Sequence, residues 1–317
     1  MFDLSDKLYN PWPAVQARYG LAGSKVAAYV RGTSGVLAPR GAADDLIRGD
    51  MVATISQGLA RAKAGYGDVV LVMQGHTESL AAAGGLANLS AGVKLIGCCH
   101  DAEDDYAPTV SFAATAANWA IDDKNVMIAG LRFDLNGAND ITTALDFSAA
   151  GGRLYDCFFN SGSGASLDCV NPIKVSSAAS NMKIRRCKSR QTSGTTTEVV
   201  LIAGTSADTE VSDCDFQMIG SAAATGCIAI AGVATNLRIL RNMLYNAHAS
   251  STAGISVADA ACTGIVADNR SAILANGTAA STGIVFTSTG SLLRCFNNLT
   301  CDEPRASGAL SPAACAT

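Results

Sequence analysis

The sequence predicts an all-β protein that forms a right-handed parallel β-helix, in which successive coils of the chain stack along one axis. Two columns of short apolar segments recur along the chain at one common period. Charged residues make up only 16% of the chain, whereas glycine contributes 31 residues. Because that charged fraction lies below the roughly 25% of an ordinary soluble domain, we expect thin layers with a core of small and aliphatic side chains.

The first column consists of segments in which apolar residues alternate with another residue. Starting at Leu145, its members begin 28, 27, 28, 27 and 29 residues apart. The segments are Leu145–Phe147, Ile173–Val175, Val200–Ile202, Ile228–Ile230, Ile255–Val257 and Ile284–Phe286. Turn-forming residues bound them, which predicts short strands. A period of about 27 residues without a helix predicts about eight coils of a β-helix, since leucine-rich, ankyrin and WD40 repeats differ in length or contain a helix.

The second column ends at one equivalent position in each coil. The residues there are Cys98, Leu131, Cys157, Cys187, Cys214, Asn242, Asn269 and Cys295. Because inward side chains of a β-helix stack along its axis, we predict an inward stack in which the cysteines serve packing. Asn242 and Asn269 would form an amide ladder, in which the side chains hydrogen-bond each other and the backbone.

One position before the inward stack, the charge alternates from coil to coil. The residues are Asp156, Arg186, Asp213, Arg241, Asp268 and Arg294. Opposite charges on adjacent strands attract each other, and like charges repel. The alternation therefore predicts an ion-pair ladder that helps to fix the register of the coils, although each exposed pair contributes less than about 1 kcal/mol.

The repeat divides the chain into three parts. Residues 51–64 carry Ile55, Leu59 and Ala62 on one face, which predicts a helix that caps the first coil and covers its unpaired strand edges. Residues 1–50 lack the repeat; we predict an arm that docks on a partner, and the alternative is a poorly ordered cap. The capped β-helix is predicted to span residues 51–300, and residues 301–317 are predicted to leave the rod as a tail.

Charge and cysteine spacing limit the kinds of partner. The net charge is −4, so we expect neither a nucleic acid held through its phosphates nor an anionic membrane. No apolar run in the sequence is long enough to span a bilayer. The 11 cysteines include no C-x-x-C pair. We therefore predict no metal and no cofactor, and a chain that folds in a reducing cytosol.

The order of motifs after residue 50 resembles that of a known family. A short helix, then GDVVLVMQGHTESL at residues 67–80, then GVKLIG at residues 92–97 is similar to the start of pectin-lyase-like β-helix proteins. With its GHTESL segment and turns rich in Ala, Thr and Ser, the chain most resembles the small β-helical proteins that decorate the capsids of tailed phages. The resemblance implies a homotrimer on the capsid surface of the virion, made in the host cytoplasm, in contact with the major capsid protein or another virion protein.

A polysaccharide-active enzyme, such as a tail-associated depolymerase or lyase, is the main alternative, because a β-helix can carry lyase or glycosidase sites on an outward sheet. Asp156, Asp213 and Asp268 are candidates for a pair of catalytic carboxylates, but the alternating arginines would keep them ionised and engaged. The acidic residues at 101–105 lie in one loop, whereas a calcium site needs six to eight oxygen ligands. We therefore predict a non-enzymatic structural protein with no catalytic residue.

Six cysteines fit the inward stack less well. They are Cys99, Cys169, Cys227, Cys262, Cys301 and Cys315. A virion protein folds in a reducing cytosol and later meets oxidising surroundings. We therefore predict that these cysteines are candidates for disulfides between subunits.

Overall fold

The structure is a computed structural model of the chain. It describes residues 12–31, 51–83, 86, 89–135, 141–161, 169–192, 196–219, 226–247, 253–274, 284–286, 292–303 and 311–312. The chain forms a parallel β-solenoid of about 7 turns of about 27 residues, with little helix. The fold class predicted from the sequence is therefore confirmed.

Two helices and thirty strands are described, numbered in chain order. The helices are α1 (Trp12–Tyr19) and α2 (Ile55–Arg61). The strands are β1 (Val26–Val30), β2 (Met51–Val52), β3 (Val69–Met73), β4 (Thr77–Leu80), β5 (Lys94–Cys98), β6 (Thr109–Phe112), β7 (Trp119–Ile121), β8 (Met127–Ala129), β9 (Arg132–Asp134), β10 (Ile141–Phe147), β11 (Arg153–Tyr155), β12 (Phe158–Asn160), β13 (Cys169–Val175), β14 (Lys183–Arg185), β15 (Lys188–Gln191), β16 (Val200–Ile202), β17 (Ser206–Ala207), β18 (Glu210–Ser212), β19 (Asp215–Met218), β20 (Ile228–Ile230), β21 (Ala234–Thr235), β22 (Leu237–Leu240), β23 (Met243–Asn246), β24 (Ile255–Val257), β25 (Thr263–Ala267), β26 (Arg270–Leu274), β27 (Ile284–Phe286), β28 (Leu292–Phe296), β29 (Leu299–Glu303) and β30 (Ser311–Pro312).

The described strands form three large sheets that run along the solenoid. Sheet A has the order β2-β1-β3-β5-β8-β11-β14-β18-β22-β25-β28. Sheet B has the order β30-β29-β26-β23-β19-β15-β12-β9-β6-β4, and sheet C has the order β27-β24-β20-β16-β13-β10-β7. A small fourth sheet pairs β17 with β21.

The first apolar column of the sequence is the inner face of sheet C. Leu145 lies opposite Ile173, which lies opposite Val200. The pairing continues through Ile228 and Ile255. All five side chains are buried in one core that runs through the solenoid.

A residue with left-handed backbone forms the corner between sheets A and B in five successive coils. The φ angles are 53° for Asp156, 52° for Arg186, 57° for Asp213, 55° for Arg241 and 58° for Asp268. Residues other than glycine rarely adopt this conformation. Its recurrence in five successive coils indicates that the stacking of coil on coil imposes the corner. The ladder side chains lie on this corner, and the next residue of each coil turns back into the core.

Helix α2 closes the N-terminal end of the core, as predicted for a cap. Ile55 and Leu59 are buried in the same apolar cluster as the strands behind them. Gly58 permits the helix to approach sheet A closely, because a Cβ atom there would lie 2.8 Å from Cγ1 of Val70.

Helix α2 begins later than the sequence predicts. Met51–Val52 is not helical but pairs in parallel with β1. The helix starts after Thr54, whose hydroxyl accepts a hydrogen bond from the backbone N–H of Gln57 at 3.1 Å. Such a cap satisfies one of the free N–H groups at a helix start.

The predicted division at residue 50 must be corrected. β1 (Val26–Val30) pairs in parallel with β2 and β3, so part of the segment assigned to an arm lies inside sheet A. Helix α1 packs on the outer face of this sheet, where Val15 and Tyr19 cluster with Ile96 and Met127. The sequence did not reveal β1 because a single VAAYV strand lies outside the repeating columns.

The predicted start of the tail also needs correction. β29 (Leu299–Glu303) continues sheet B past residue 300, and β30 pairs with it in antiparallel orientation. The other residues assigned to the tail lie outside the described part of the chain.

Candidate functional surface

The structure brings four of the predicted ladder residues together as two ion pairs. Arg186 donates to both carboxylate oxygens of Asp156, at 2.8 and 3.0 Å. Arg241 donates to both oxygens of Asp213, at 2.7 and 2.9 Å. The alternating charges are thus joined in bidentate pairs, the geometry that gives a guanidinium and a carboxylate their strongest hydrogen bonds.

The Asp156 pair is the more shielded of the two. The side chain of Asp156 is 9% exposed, against 39% for Asp213. Arg18 of helix α1 also reaches Asp156, with 3.5 Å between Nε and the carboxylate. Burial raises the pKa of Asp156, but the hydrogen bond from Arg186 and the nearby charge of Arg18 outweigh it, so the pKa lies below its usual value. This carboxylate is therefore ionised and engaged.

The ladder prediction is wrong for its last member. Arg294 lies opposite Ile265 on the outer face of sheet A, and Cys295 lies opposite Val266. The register places Asn297, with a φ of 53°, at the corner after Asp268. Asn298, not Cys295, therefore continues the inward stack.

Three cysteines form the first half of the inward stack. Cys157, Cys187 and Cys214 lie at equivalent positions of adjacent coils and are buried in the core. Burial raises the pKa of the Cys157 and Cys214 thiols well above the ordinary value. A protonated thiol is a poor nucleophile and a poor metal ligand, so Cys157 and Cys214 act in packing. Cys187 lies between them and has no exposed surface.

Three asparagines form the second half of the stack. The side-chain oxygen of Asn269 accepts hydrogen bonds from the backbone N–H and the side-chain amide of Asn242, at 3.0 and 2.9 Å. Asn298 binds Asn269 in the same way, at 3.1 and 2.9 Å. Each amide also donates to a backbone carbonyl one coil away, as Asn269 does to Ile239 at 2.9 Å. The stack is thus an amide ladder that extends one coil further than predicted.

Cys98 does not belong to the inward stack. Gly97 has no left-handed backbone, unlike the corner residues of later coils. The strand therefore continues in extended form and pairs Met73 with Cys98. Alternation along β5 then turns Cys98 outward, where it packs in the apolar cluster beneath helix α1.

The prediction of disulfides between subunits is contradicted for three residues. The side chains of Cys169, Cys227 and Cys262 have no exposed surface and are buried in the core, where a second subunit does not reach them. Cys99 is half-buried and donates to the carbonyl of Gly130 at 3.2 Å, and burial raises its pKa to about 12. Cys301 lies on β29 with a side chain outside the described part, and Cys315 lies outside the described residues altogether.

The acidic loop at 101–105 is tied to the outer face of sheet B. Lys188 donates to Asp101 at 2.8 Å and to Glu103 at 3.1 Å, and Arg190 forms an ion pair with Glu103. Burial raises the pKa of Asp101, but the hydrogen bonds from Lys188 and the Glu103 backbone hold it below its usual value. These carboxylates are therefore occupied by cations of the same chain.

The histidine of the GHTESL segment supports the cap. His76 is 3% exposed, and its Nε2 lies 3.2 Å from Glu78. Glu78 accepts a hydrogen bond from the backbone N–H of Ile55 at 2.6 Å, at the first residue of helix α2. The segment thus connects the first coil to the cap, which is a structural role.

Sequence reasoning missed a buried carboxylate on the outer face of sheet A. Glu210 is 5% exposed and accepts hydrogen bonds from Arg185 at 2.7 Å and from Ser212 at 2.8 Å. Arg238 lies 3.5 Å from the same carboxylate. Burial raises the pKa of Glu210, but these partners, Arg185 foremost, hold it below its usual value. The column three residues before the corner would have revealed the cluster.

Two depressions lie on the described surface. An open cavity of about 510 Å³ on the outer face of sheet B is lined by Asp215, Gln217, Ile219, Met243, Leu244, Tyr245, Arg270, Ser271 and Ala272. A smaller one of about 210 Å³ lies at the corner near Arg18, Asp156 and Lys188. In the second, the ion pairs already described engage Asp101, Asp156 and Asp213, and Asp215 accepts from Gln217 at 3.5 Å.

Searches for other sites and for relatives returned no positive finding. Within the described residues, no three His, Cys, Asp or Glu side chains are grouped so that they could hold a metal ion. Neither described helix is long and apolar enough to cross a membrane. No family model, curated protein or solved structure matches the chain.

Proposed function

We propose that this chain is a non-enzymatic structural protein of a tailed-phage virion, and specifically a decoration protein on the outer capsid surface. Under this proposal it stands as a homotrimer on the major capsid protein or another virion protein. The observation that carries the proposal is the pairing of the outward carboxylates Asp156, Asp213 and Glu210 with arginines of neighbouring coils.

The lowered pKa values of these three carboxylates argue against glycoside hydrolysis. That reaction needs a general acid whose pKa is raised towards neutrality, and a second carboxylate beside it. The pKa values of Asp156, Asp213 and Glu210 all lie below their ordinary values. At neutral pH these groups are ionised and hydrogen-bonded, so they favour coil stacking over acid catalysis.

The stacked architecture suits a passive component that has to persist outside the cell. Sheet A alone joins 11 described strands, and buried amides and bidentate ion pairs link adjacent coils. In a solenoid each coil is held by its neighbours. Such cross-coil contacts resist local opening, as a surface component of a particle requires.

A polysaccharide-active protein is the second candidate, and the cavity on sheet B favours it. Tyr245 and Met243 offer apolar surface there, beside Asp215, Gln217 and Arg270. Asp215 is the one carboxylate among the described lining residues, whereas hydrolysis by the usual mechanism needs two. The cavity therefore supports glycan binding better than glycan cleavage.

The test is to mix the purified chain with empty capsids of the tailed phage that carries its gene, and to image the particles. We expect saturable binding at a regular position on the capsid surface, and a mass in solution of three chains. In parallel, capsular and acidic polysaccharides are incubated with the chain and with an Asp215→Asn variant. Depolymerisation by the wild type that the variant lacks, without capsid binding, would replace the proposal with the second candidate.

A further inference from the structure

The outer face of sheet A changes character along the solenoid. At its N-terminal end the outward residues are mostly apolar, and helix α1 covers them with Val15 and Tyr19. The exception is Lys94, whose ammonium group donates to Ser24 and to the carbonyl of Gly67. Beyond Tyr155, the described residues include no segment that packs over this face in the same way. The two halves therefore present different surfaces to the surroundings.

The uncovered half carries a strip of basic residues in register. One outward column runs from Arg153 through Lys183, Glu210 and Arg238 to Ile265 and Arg294. The neighbouring column contributes Arg185. We call Arg153, Lys183, Arg185, Arg238 and Arg294 the basic strip. Five basic residues here face a single described carboxylate, although the whole chain has a net charge of −4.

Glu210 organises the middle of the basic strip rather than neutralising its surface. The carboxylate is 5% exposed and holds Arg185 and Arg238 from beneath, at 2.7 and 3.5 Å. The two arginine side chains remain 34% and 41% exposed. A guanidinium has five N–H donors, so each arginine keeps donors for an anionic partner after it has bound Glu210.

Apolar side chains lie beside the basic strip at its C-terminal end. Leu292 is 71% exposed, Phe296 is 49% exposed and Ile265 is 36% exposed. All three belong to β25 and β28, the strands that also carry the end of the strip. Exposed apolar groups of this size next to arginines are typical of protein interfaces.

We infer that the basic strip and its apolar end form a docking face for an acidic protein surface. The strip spans six strands, or roughly 24 Å at the usual strand spacing, and its arginines favour carboxylates because they can bind them bidentately. The exposed Leu and Phe side chains favour a protein over a nucleic acid, whose interfaces are more polar. This inference rests on the proposed function only for the identity of the partner, an acidic patch on the capsid.

The test uses a charge reversal that leaves Arg185, Glu210 and Arg238 themselves unchanged. Arg153→Glu with Lys183→Glu changes two strip residues on β11 and β14 that take no part in the contacts of Glu210 with Arg185 and Arg238. Lys63→Glu with Lys124→Glu is the matched control, since it makes the same change of net charge at two exposed lysines outside the strands of sheet A. Arg153→Gln with Lys183→Gln is a milder second variant. Circular dichroism and thermal melting verify that every variant folds.

Binding to poly-L-glutamate is measured by biolayer interferometry at low and moderate salt. We expect the wild type and the control to bind, the reversal to raise Kd at least about tenfold, and salt to weaken binding. Equal losses in the control and the strip variant would overturn the inference, because net charge alone would then explain binding. Tighter binding to single-stranded DNA or heparin than to poly-L-glutamate would overturn it as well.

Capsid binding by the same variants separates this inference from the proposed function. If the wild type binds capsids and the strip variant binds them equally well, the docking face is wrong and the function stands. If no protein binds capsids while the poly-L-glutamate result holds, the docking face stands and the capsid role fails.

Discussion

The inward stack at the corner is built from thiols in its first half and from amides in its second. Cys157, Cys187 and Cys214 fill space and form only weak hydrogen bonds, such as that from Cys187 to the carbonyl of Leu154 at 3.5 Å. Asn242 and Asn269 instead bind each other and the backbone at 2.9 to 3.0 Å. One backbone position therefore accepts two chemistries, and the amides link neighbouring coils by shorter hydrogen bonds than the thiols do.

The largest effect is expected in the amide half. Asn269→Ala leaves the backbone N–H and the side-chain amide of Asn242 without their acceptor, and the carbonyl of Ile239 without its donor. Buried groups that lose a partner cost about 1 kcal/mol or more each. We expect the free energy of unfolding to fall by about 3 kcal/mol, measured by urea unfolding followed by circular dichroism.

The half-buried Asn160 provides the control for this change. Its amide makes one long bond of 3.4 Å to Asp134, so Asn160→Ala is expected to cost less than about 1 kcal/mol. Equal losses for the two variants would show that the amide ladder adds nothing to ordinary side-chain contacts.

Replacing a stack asparagine by cysteine is expected to lower the free energy of unfolding more than replacing a stack cysteine by asparagine. Asn242→Cys removes its hydrogen bonds to the Cys214 N–H and the Val211 carbonyl, both at 3.0 Å, and should cost about 2 kcal/mol. Cys187→Asn should cost less than about 1 kcal/mol, because the new amide can reach the acceptor that the thiol already faces. Denaturant midpoints of the two variants test the asymmetry, and similar losses would contradict it.

The two corner pairs should differ because their carboxylates differ in exposure. Arg186→Gln leaves the shielded Asp156 with Arg18 alone and should lower the free energy of unfolding by about 1 kcal/mol. Arg241→Gln, next to the exposed Asp213, should lower it by less than about 0.5 kcal/mol. Both positions have the same left-handed backbone, so the backbone contribution cancels in the comparison. Equal losses would show that burial of the carboxylate is unimportant.

Low pH should remove the stabilisation that Arg186 gives to the folded chain through its ion pair with Asp156. The pKa of Asp156 is lower in the folded chain than the ordinary value of about 3.9. The pair therefore stabilises the folded chain fully above that ordinary value, and its contribution is lost as the pH falls through the folded pKa. Thermal melts of wild type and Arg186→Gln should differ at pH 7, and the difference should shrink as the pH falls below about 3.9. A difference that stays the same at every pH at which the chain folds would argue against an ionic role for Asp156.

The smallest expected difference is in the chemical labelling of the cysteines, not in the free energy of unfolding. In the folded chain, N-ethylmaleimide at pH 8 should leave Cys157, Cys187 and Cys214 unlabelled, because burial keeps the reagent from all three thiols. Cys98 and Cys99 are partly exposed and should react slowly. Peptide mass spectrometry measures both groups, and labelling of Cys187 as fast as Cys99 would reveal local opening of the stack.

Much of the fold follows from the sequence because one period governs two independent columns. The pairing of Asp156 with Arg186 and of Asp213 with Arg241 could be anticipated, since opposite charges recur where adjacent strands must meet. Glu210 could have been found by the same reasoning applied three residues earlier in each coil. These features depend on register alone, and register is visible in the spacing.

The predicted columns were wrong where residues of the same type were assumed to occupy equivalent positions in successive coils. Arg294-Cys295 looks like Arg186-Cys187, yet the backbone pairs Arg294 with Ile265. Asn297 and Asn298 take the corner and the stack, because the amide of Asn298 binds Asn269. Cys98 was misplaced because the corner conformation is absent at Gly97. Backbone conformation and hydrogen bonding decide these positions, and a single sequence does not display them.

The charged corners constrain how the rod can grow or shrink. Removal of a single coil, from Cys157 to Arg186, would set Asp156 directly over Asp213 and Tyr155 over Ser212, so two anions would meet where a cation now separates them. Removal of two coils would restore the original order of signs. Duplication or loss of coils should therefore be tolerated best in even numbers, because only an even change keeps aspartate and arginine alternating along the corner.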